Sequence, residues 1–261
     1  MLAILSPNAL LELVLLLVVR SVLLVILLML AFVFGGLVCL IRPMHRDNVH
    51  MFAKMFSAVV PILGLKVIVR RSDEIKDEPC IYLANHQNNY DVFTHTAAVP
   101  KGTVSLGKKS LAWMPLFGQI YWLSGNILID RNNRSRAFDT MANTVKKIKE
   151  KCLSIWIFPE GTRSRGRGLL PFKAGAFHTA INAGVPMVPV LASNQSEINL
   201  NRWNNGVVII EMMAPFPTEG LTRGNAKELS AKIHATMSEK LEALNQEAAA
   251  LAGKSVASNN A

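Results

Sequence analysis

The 261-residue chain is expected to be an α/β protein: a mixed, largely parallel sheet of about seven strands flanked by helices, behind an N-terminal hydrophobic helical membrane anchor. Two observations predict this. Short β-branched runs alternate with amphipathic helical stripes along most of the chain, and the first forty residues are almost uninterruptedly apolar. Charge divides the chain the same way. Residues 1–41 carry only Glu12 and Arg20, which cancel, so the whole net charge of +10 belongs to the remainder. A basic body of this kind favours an anionic partner without naming it.

Ser21–Ile41 is a run of 21 residues without a charge, and Leu13–Val19 is a further apolar run before Arg20. A bilayer core needs roughly 20 helical residues. Residues 1–44 therefore form an anchor, either as one span or as a helical hairpin in one leaflet, broken near Arg20 or Gly35–Gly36. A cleaved signal peptide is not expected, because the start is not basic and no small-x-small site follows the apolar run. Arg42, His45, Arg46 and Lys54 come directly after it, which places the body on the cytoplasmic side of the membrane. The three cysteines, Cys39, Cys80 and Cys152, are too few and scattered for a disulfide framework and lack zinc-ligand spacing.

Residues 45–245 form the body. His45–Gly64 places Phe52, Met55, Phe56, Val59, Val60 and Leu63 on one helical face, core or interfacial, and Pro61 and Gly64 end it. Strands are expected at Leu65–Arg70, Cys80–Ala84, Thr103–Leu106, Ile127–Ile129, Ser154–Phe158, Met187–Ala192 and Val207–Met212. A helix over Ser135–Lys149 turns Phe138, Met141, Val145 and Ile148 inward. The last helix starts near Asn225, which stands three residues before Glu228 as in a capping box, and runs to about Asn245. Residues 246–261 lack a pattern and form a frayed tail.

The chemistry concentrates where strands end, because the carboxyl ends of strands are where α/β proteins build sites. Asn85-His86-Gln87-Asn88-Asn89-Tyr90-Asp91 follows one strand directly. On a regular helix His86 and Asp91 would stand about 140° apart. They meet only if His86 lies on the turn and Asp91 in the first turn of the next helix, an arrangement that the polar residues between them suit. A carboxylate that fixes the imidazole tautomer makes His86 a candidate general base. Gly125-Asn126-Ile127-Leu128-Ile129-Asp130-Arg131 and Phe158-Pro159-Glu160-Gly161-Thr162-Arg163-Ser164 each place a strand before a charged turn, and Val185-Pro186-Met187-Val188-Pro189-Val190 introduces another strand.

In their order and spacing these four blocks resemble the motifs of the glycerolipid acyltransferase family, and the resemblance covers roughly residues 45–245. It implies transfer of a fatty acyl group from acyl-CoA or acyl-carrier protein to the sn-2 hydroxyl of lysophosphatidate. His86 would be the base and Asp91 its orienting partner. Arg131 and Arg163, helped by Lys108, would hold the phosphate, a task that suits the planar guanidinium fork. Glu160 and Gly161 would shape the glycerol pocket, although Glu160 could instead pair with Arg163. Asp130 and Arg131 could form a surface pair. The basic run Arg163–Gly168 is a solvated loop or a reception site for head groups or donor phosphates.

No Gly-x-Ser-x-Gly elbow occurs, so no protein nucleophile is nominated. The six histidines lack His-x-x-x-His spacing, so no metal is expected, and direct transfer calls for no cofactor. The partners implied are lysophosphatidate, the acyl donor and membrane phospholipid. The same blocks would also fit glycerol 3-phosphate, another lysophospholipid or a lyso-aminolipid as acceptor. A nucleic-acid partner is not expected, since aromatic stacking platforms are missing.

Overall fold

In a computed structural model, which describes residues 7–130 and 133–253, the chain opens with one helix, α1, over Pro7–Ile41. It runs unbroken through Arg20, Gly35 and Gly36, so the break that a hairpin would need at either place is not found. Its buried positions Leu16, Arg20, Ala31, Gly35 and Cys39 form one stripe along the helix, and this stripe faces the body. Gly35 lets the Phe52 ring sit directly on the helix backbone, where any Cβ would collide. The remaining faces expose leucine, valine, isoleucine and phenylalanine throughout.

A second helix, α2 (Asn48–Ser57), folds back on α1, with Phe56 edge-on to Phe32 at 6.1 Å. Its apolar stripe is therefore core, in contact with α1 and the body. A 3-10 turn over Val60–Leu63 ends at Gly64, whose φ of +69° and close neighbours Arg20 and Trp203 admit no side chain.

Seven strands follow: β1 (Leu65–Arg71), β2 (Ile81–Ala84), β3 (Thr103–Lys108), β4 (Ile127–Ile129), β5 (Ser154–Ile157), β6 (Met187–Ala192) and β7 (Gly206–Met212). They lie side by side in the order β1-β7-β6-β2-β5-β3-β4. Only the β6–β7 pair is antiparallel. All seven expected strands form, with ends displaced by at most two residues. The central β2, β5 and β6 are buried at every position, as continuous apolar runs covered on both faces should be.

One layer of helices consists of α5 (Arg134–Lys151), α6 (Gly175–Ala183) and α7 (Ala226–Leu251), which share a core cluster of Ile148, Phe177, Ile233 and Met237 with Leu83 and Ile155. The opposite face packs on the Val60–Leu63 turn and the short helix α3 (Asp91–Thr94), through Tyr82, Trp156 and Ile210.

The last helix starts at Ala226, as expected, but its capping pair and its end differ from expectation for physical reasons. The capping box is formed by Thr222 and Asn225, one turn earlier than the Asn225–Glu228 pair, and it heads a 3-10 turn, Arg223–Asn225, that leads into α7. The last helix also continues past Gln246 to Leu251. Ala248 is buried against the core, and Glu247 makes a two-pronged pair with Arg70 of β1, so six residues assigned to the tail have reason to stay helical. Residues 254–261 of that tail lie outside the described residues.

Candidate active site

Strands β2, β5, β3 and β4 are adjacent and mutually parallel, so their carboxyl ends open onto one edge of the sheet. His86 comes just after β2, Glu160 and Arg163 after β5, Lys108 at the end of β3, and Asp130 after β4. Three of the four sequence blocks therefore lie on the same side of the sheet, although Asp130, after the edge strand β4, is not among the residues that line the cavity with His86.

The turn after β2 is held by side chains acting as backbone. Asn85 Nδ2 donates to the Ala192 carbonyl at 2.9 Å and its Oδ1 accepts from the Ala192 N–H at 2.8 Å, which extends the β2–β6 ladder by one step. Gln87 Nε2 donates to the carbonyls of Ala192 and Ser193. Asn88 Oδ1 accepts from the Tyr90 N–H, an Asx turn that starts α3. This brings Asp91, in the first turn of α3, to His86: Nδ1 and Oδ2 are 2.6 Å apart.

Asp91 is 3% exposed but well supplied with donors. Its Oδ2 also accepts from the N–H groups of Gln87 at 2.7 Å and Asn88 at 3.2 Å, and Oδ1 accepts from Gln195 Nε2 at 3.1 Å. Three donors besides the imidazole suit the ionised, acceptor-only carboxylate. Nδ1 of His86 is then the proton-bearing nitrogen, and Nε2 is left as the base. The ring stacks on Phe158 at 4.1 Å. Gln195 is a member of the site that the sequence did not reveal. It comes from the loop after β6, 104 residues from its partner, and no local pattern marks it.

Glu160 departs from the expectation that it shapes the glycerol pocket or pairs with Arg163. It is 3% exposed, and its Oε1 and Oε2 accept from the backbone N–H groups of His86 (2.6 Å) and Leu170 (3.0 Å). Burial pushes its pKa upward, against the two backbone donors that favour the charge. Its place is behind His86. Gly161, with φ of +71°, turns the chain under Lys173 and lines a neighbouring cavity instead of the one that holds His86.

The basic run that follows is stapled to the histidine turn: the Ser164 N–H donates to the His86 carbonyl at 2.7 Å and the Arg165 N–H to that of Gln87 at 3.0 Å. This pairing brings Arg163 and Arg165 to the mouth of a cavity of about 460 Å³, with His86, Asn88, Thr162 and Lys108. Asp130 lies near Lys109 (3.5 Å) and Arg136 (3.6 Å). Arg131 lies outside the described residues.

Away from the mouth, the cavity wall is apolar. Phe32 of α1, Phe52 and Phe56 of α2, Val99 and Leu106 line it, with Leu111, Phe117 and Ile120 from a segment that the sequence reading did not resolve. In that segment a 3-10 turn over Lys109–Trp113 precedes the helix α4 (Phe117–Leu123). Beneath lies a half-buried polar knot in which Ser105 Oγ meets Tyr121 OH at 2.6 Å and Asn126 Oδ1 at 2.8 Å. One cavity thus joins an imidazole base, a cationic mouth and a greasy interior, which is the chemistry of an amphiphile with an anionic head.

Comparison with known proteins agrees with this geometry. A family model described as Acyltransferase matches residues 66–193. The 1-acyl-sn-glycerol-3-phosphate acyltransferase of Salmonella typhimurium is 50% identical over 88% of this chain and 95% of its own length. The Escherichia coli protein of the same name is 49% identical over the same shares, and the human alpha form is 30% identical over 77% of this chain and 72% of its own. The crystal structure of the 1-acyl-sn-glycerophosphate acyltransferase from Thermotoga maritima superposes with a TM-score of 0.63, covering 86% of this chain and 97% of that one. At 24% identity that likeness speaks for the fold alone. Identity of about one half, sustained over 95% of the Salmonella relative, shows that the chain belongs to the 1-acyl-sn-glycerol-3-phosphate acyltransferase family.

Proposed function

We propose that this site moves an acyl group from a thioester, on coenzyme A or acyl-carrier protein, to the sn-2 hydroxyl of 1-acylglycerol 3-phosphate, giving phosphatidate. The observation that carries this reading is the His86–Asp91 pair at 2.6 Å, set in a cavity with cations at its mouth and an apolar interior. Lys108 and Arg163 bind the phosphate, with Arg165 beside them, and the apolar walls take an acyl chain. Nε2 of His86 accepts the hydroxyl proton as the oxygen attacks the thioester carbon. Asp91 stabilises the imidazolium that results. Collapse of the tetrahedral intermediate breaks the C–S bond, and the imidazolium returns its proton to the departing thiolate. Both substrates are held together, so orientation supplies much of the acceleration.

The backbone N–H groups of His86, Gln87, Asn88, Ser164 and Arg165 are already engaged within the protein. The donors left for the developing oxyanion are those of Asn89, which lines the same cavity, and of the Thr162–Arg163 turn.

The chain is membrane-associated through α1, and we infer that this helix lies along one leaflet of the inner membrane with the body on the cytoplasmic side. Its buried stripe, from Leu16 to Cys39, meets the body over about 35 Å. An upright helix would carry the body into the hydrocarbon core, which is itself about 30 Å thick. Protease protection, with cleavage confined to one membrane face, checks this placement.

The reaction is tested with purified full-length protein and a panel of acceptors: 1-acylglycerol 3-phosphate, glycerol 3-phosphate, a lysophospholipid and a lyso-aminolipid. Preference for the first is expected, with His86→Ala reducing turnover by orders of magnitude while the protein still inserts. Near-normal turnover by that variant would remove the base assignment.

A further inference from the structure

Beyond the anchor, the described residues expose large apolar side chains most densely on the segment from Lys109 to Leu123. Trp113 is 83% exposed, Leu116 61%, Trp122 53% and Met114 47%. Leu116 also has a positive φ of +63°, which a branched side chain adopts only under strain. The backbone is thus held where it turns a leucine toward solvent.

The inner side of the same segment walls the cavity, through Leu111, Phe117, Ile120 and Tyr121. Its flank packs on the apolar anchor: Phe117 meets Phe32 of α1 edge-on at 6.1 Å, Ile120 lies against Gly36, and the Met44 N–H donates to the Leu123 carbonyl at 2.7 Å. Lys108 and Lys109, both exposed, stand at its start. Of the four tryptophans only Trp156 is buried, and each of the others adjoins α1: Trp113 and Trp122 through this segment, Trp203 beside Arg20. Exposed indoles grouped around one apolar helix, with lysines next to them, suit the interface of an anionic bilayer. There the ring sits at head-group depth and the ammonium groups meet phosphate.

We propose that the Trp113–Trp122 surface is a second bilayer-contacting element, separate from α1, that seats the cavity rim in the head-group region. A lipid acceptor then passes between bilayer and cavity across Trp113 and Leu116 without entering water. This consequence rests on the acyl-transfer reading, whereas the bilayer contact does not.

The test places full-length protein in vesicles of phosphatidylethanolamine and phosphatidylglycerol with brominated acyl chains. With Trp203→Phe as background, the emission of Trp113 and Trp122 should be quenched, and Trp113→Ser with Trp122→Ser should abolish most of that quenching. Emission insensitive to the brominated lipid overturns the proposal, including the case in which emission changes only with protein concentration, as it would if the surface met a second copy of the chain. A kinetic arm uses the same double variant. Its KM for vesicle-embedded 1-acylglycerol 3-phosphate should rise severalfold, while KM for a monomeric short-chain analogue stays constant. Equal changes for both would refute delivery across this rim. If no form of the protein transferred acyl groups, the functional reading would fail and the quenching result would still stand.

Discussion

The Glu160 carboxylate accepts the backbone N–H of His86 at 2.6 Å, and its other oxygen accepts the Leu170 N–H. The candidate base is therefore fixed twice, at its ring by Asp91 and at its main chain by Glu160, from two different strand ends. Glutamine at position 160 can accept only through its carbonyl oxygen, so one of the two N–H donors would face an amide nitrogen. Leaving a buried donor unsatisfied costs about 1–3 kcal/mol. Glu160→Gln should lower the unfolding free energy by about that much and reduce kcat, with KM for lysophosphatidate unchanged; Glu160→Ala should do more of the same. A rise in KM as the main effect would return Glu160 to the substrate pocket.

Arg163 stands at the cavity mouth on a turn tied to the histidine segment, and its side chain is exposed. A guanidinium hydrogen-bonded to a charged phosphate contributes about 1.5–3 kcal/mol. Arg163→Ala should accordingly raise KM for 1-acylglycerol 3-phosphate about tenfold to a hundredfold. KM for the acyl donor should move little. Steady-state kinetics with each substrate varied in turn checks this, and equal effects on both would take Arg163 off the phosphate.

What the sequence made legible follows from range. His86 and Asp91 are five residues apart, and the polar turn between them could be reasoned through without coordinates. The central strands β2, β5 and β6 were legible because strands buried on both faces are continuous apolar runs. The hydrogen bonds of Glu160 were not legible because its partner is a main-chain N–H 74 residues away, which leaves no trace in residue type. Gln195 was missed for the same reason, since nothing near it in sequence announces Asp91. The capping box shifted by one turn because Thr222–Asn225 and Asn225–Glu228 both have the right spacing, and only packing decides between them. Arg20 was visible as a lone charge in an apolar run, but its partners were not.

Those partners are three backbone carbonyls. Arg20 Nη1 donates to Leu200 (2.9 Å) and Arg202 (2.5 Å) and Nη2 to Trp203 (2.9 Å), while the guanidinium lies 5.9 Å from the Trp203 ring. The loop it grips is the one that supplies Gln195 to Asp91, so the anchor helix and the histidine pair are joined through one connection. A fork of fixed geometry serves three carbonyls as a single ammonium cannot. Arg20→Leu should lower stability by about 1.5–3 kcal/mol and open residues 194–205 to protease, while the protein remains in the membrane fraction. Arg20→Lys should restore only part of this. Unchanged cleavage of that loop in Arg20→Leu would show that α1 and the loop are held together by other contacts.

His95 completes the aromatic stack behind the site and gives it a pH dependence. It is 2% exposed and edge-on to Trp156 and Phe158, and neither ring nitrogen makes a well-formed hydrogen bond. Burial lowers its pKa below the ordinary 6.5; Asp91 pulls the other way, His86 adds to the lowering, and the nearby Asn85 backbone offsets it slightly. The folded protein thus keeps His95 neutral where the unfolded chain would protonate it. Below pH 6.5 the unfolded state binds the extra proton, so stability falls as pH falls, by up to about 1.4 kcal/mol per unit from this one group. Above 6.5 both states are neutral and the dependence vanishes. Phenylalanine keeps the ring contacts and removes the proton. In thermal unfolding at neutral pH and at about one unit below 6.5, His95→Phe should therefore lose less stability on acidification than the parent protein. An identical acid-side slope in the two proteins would assign it to other groups.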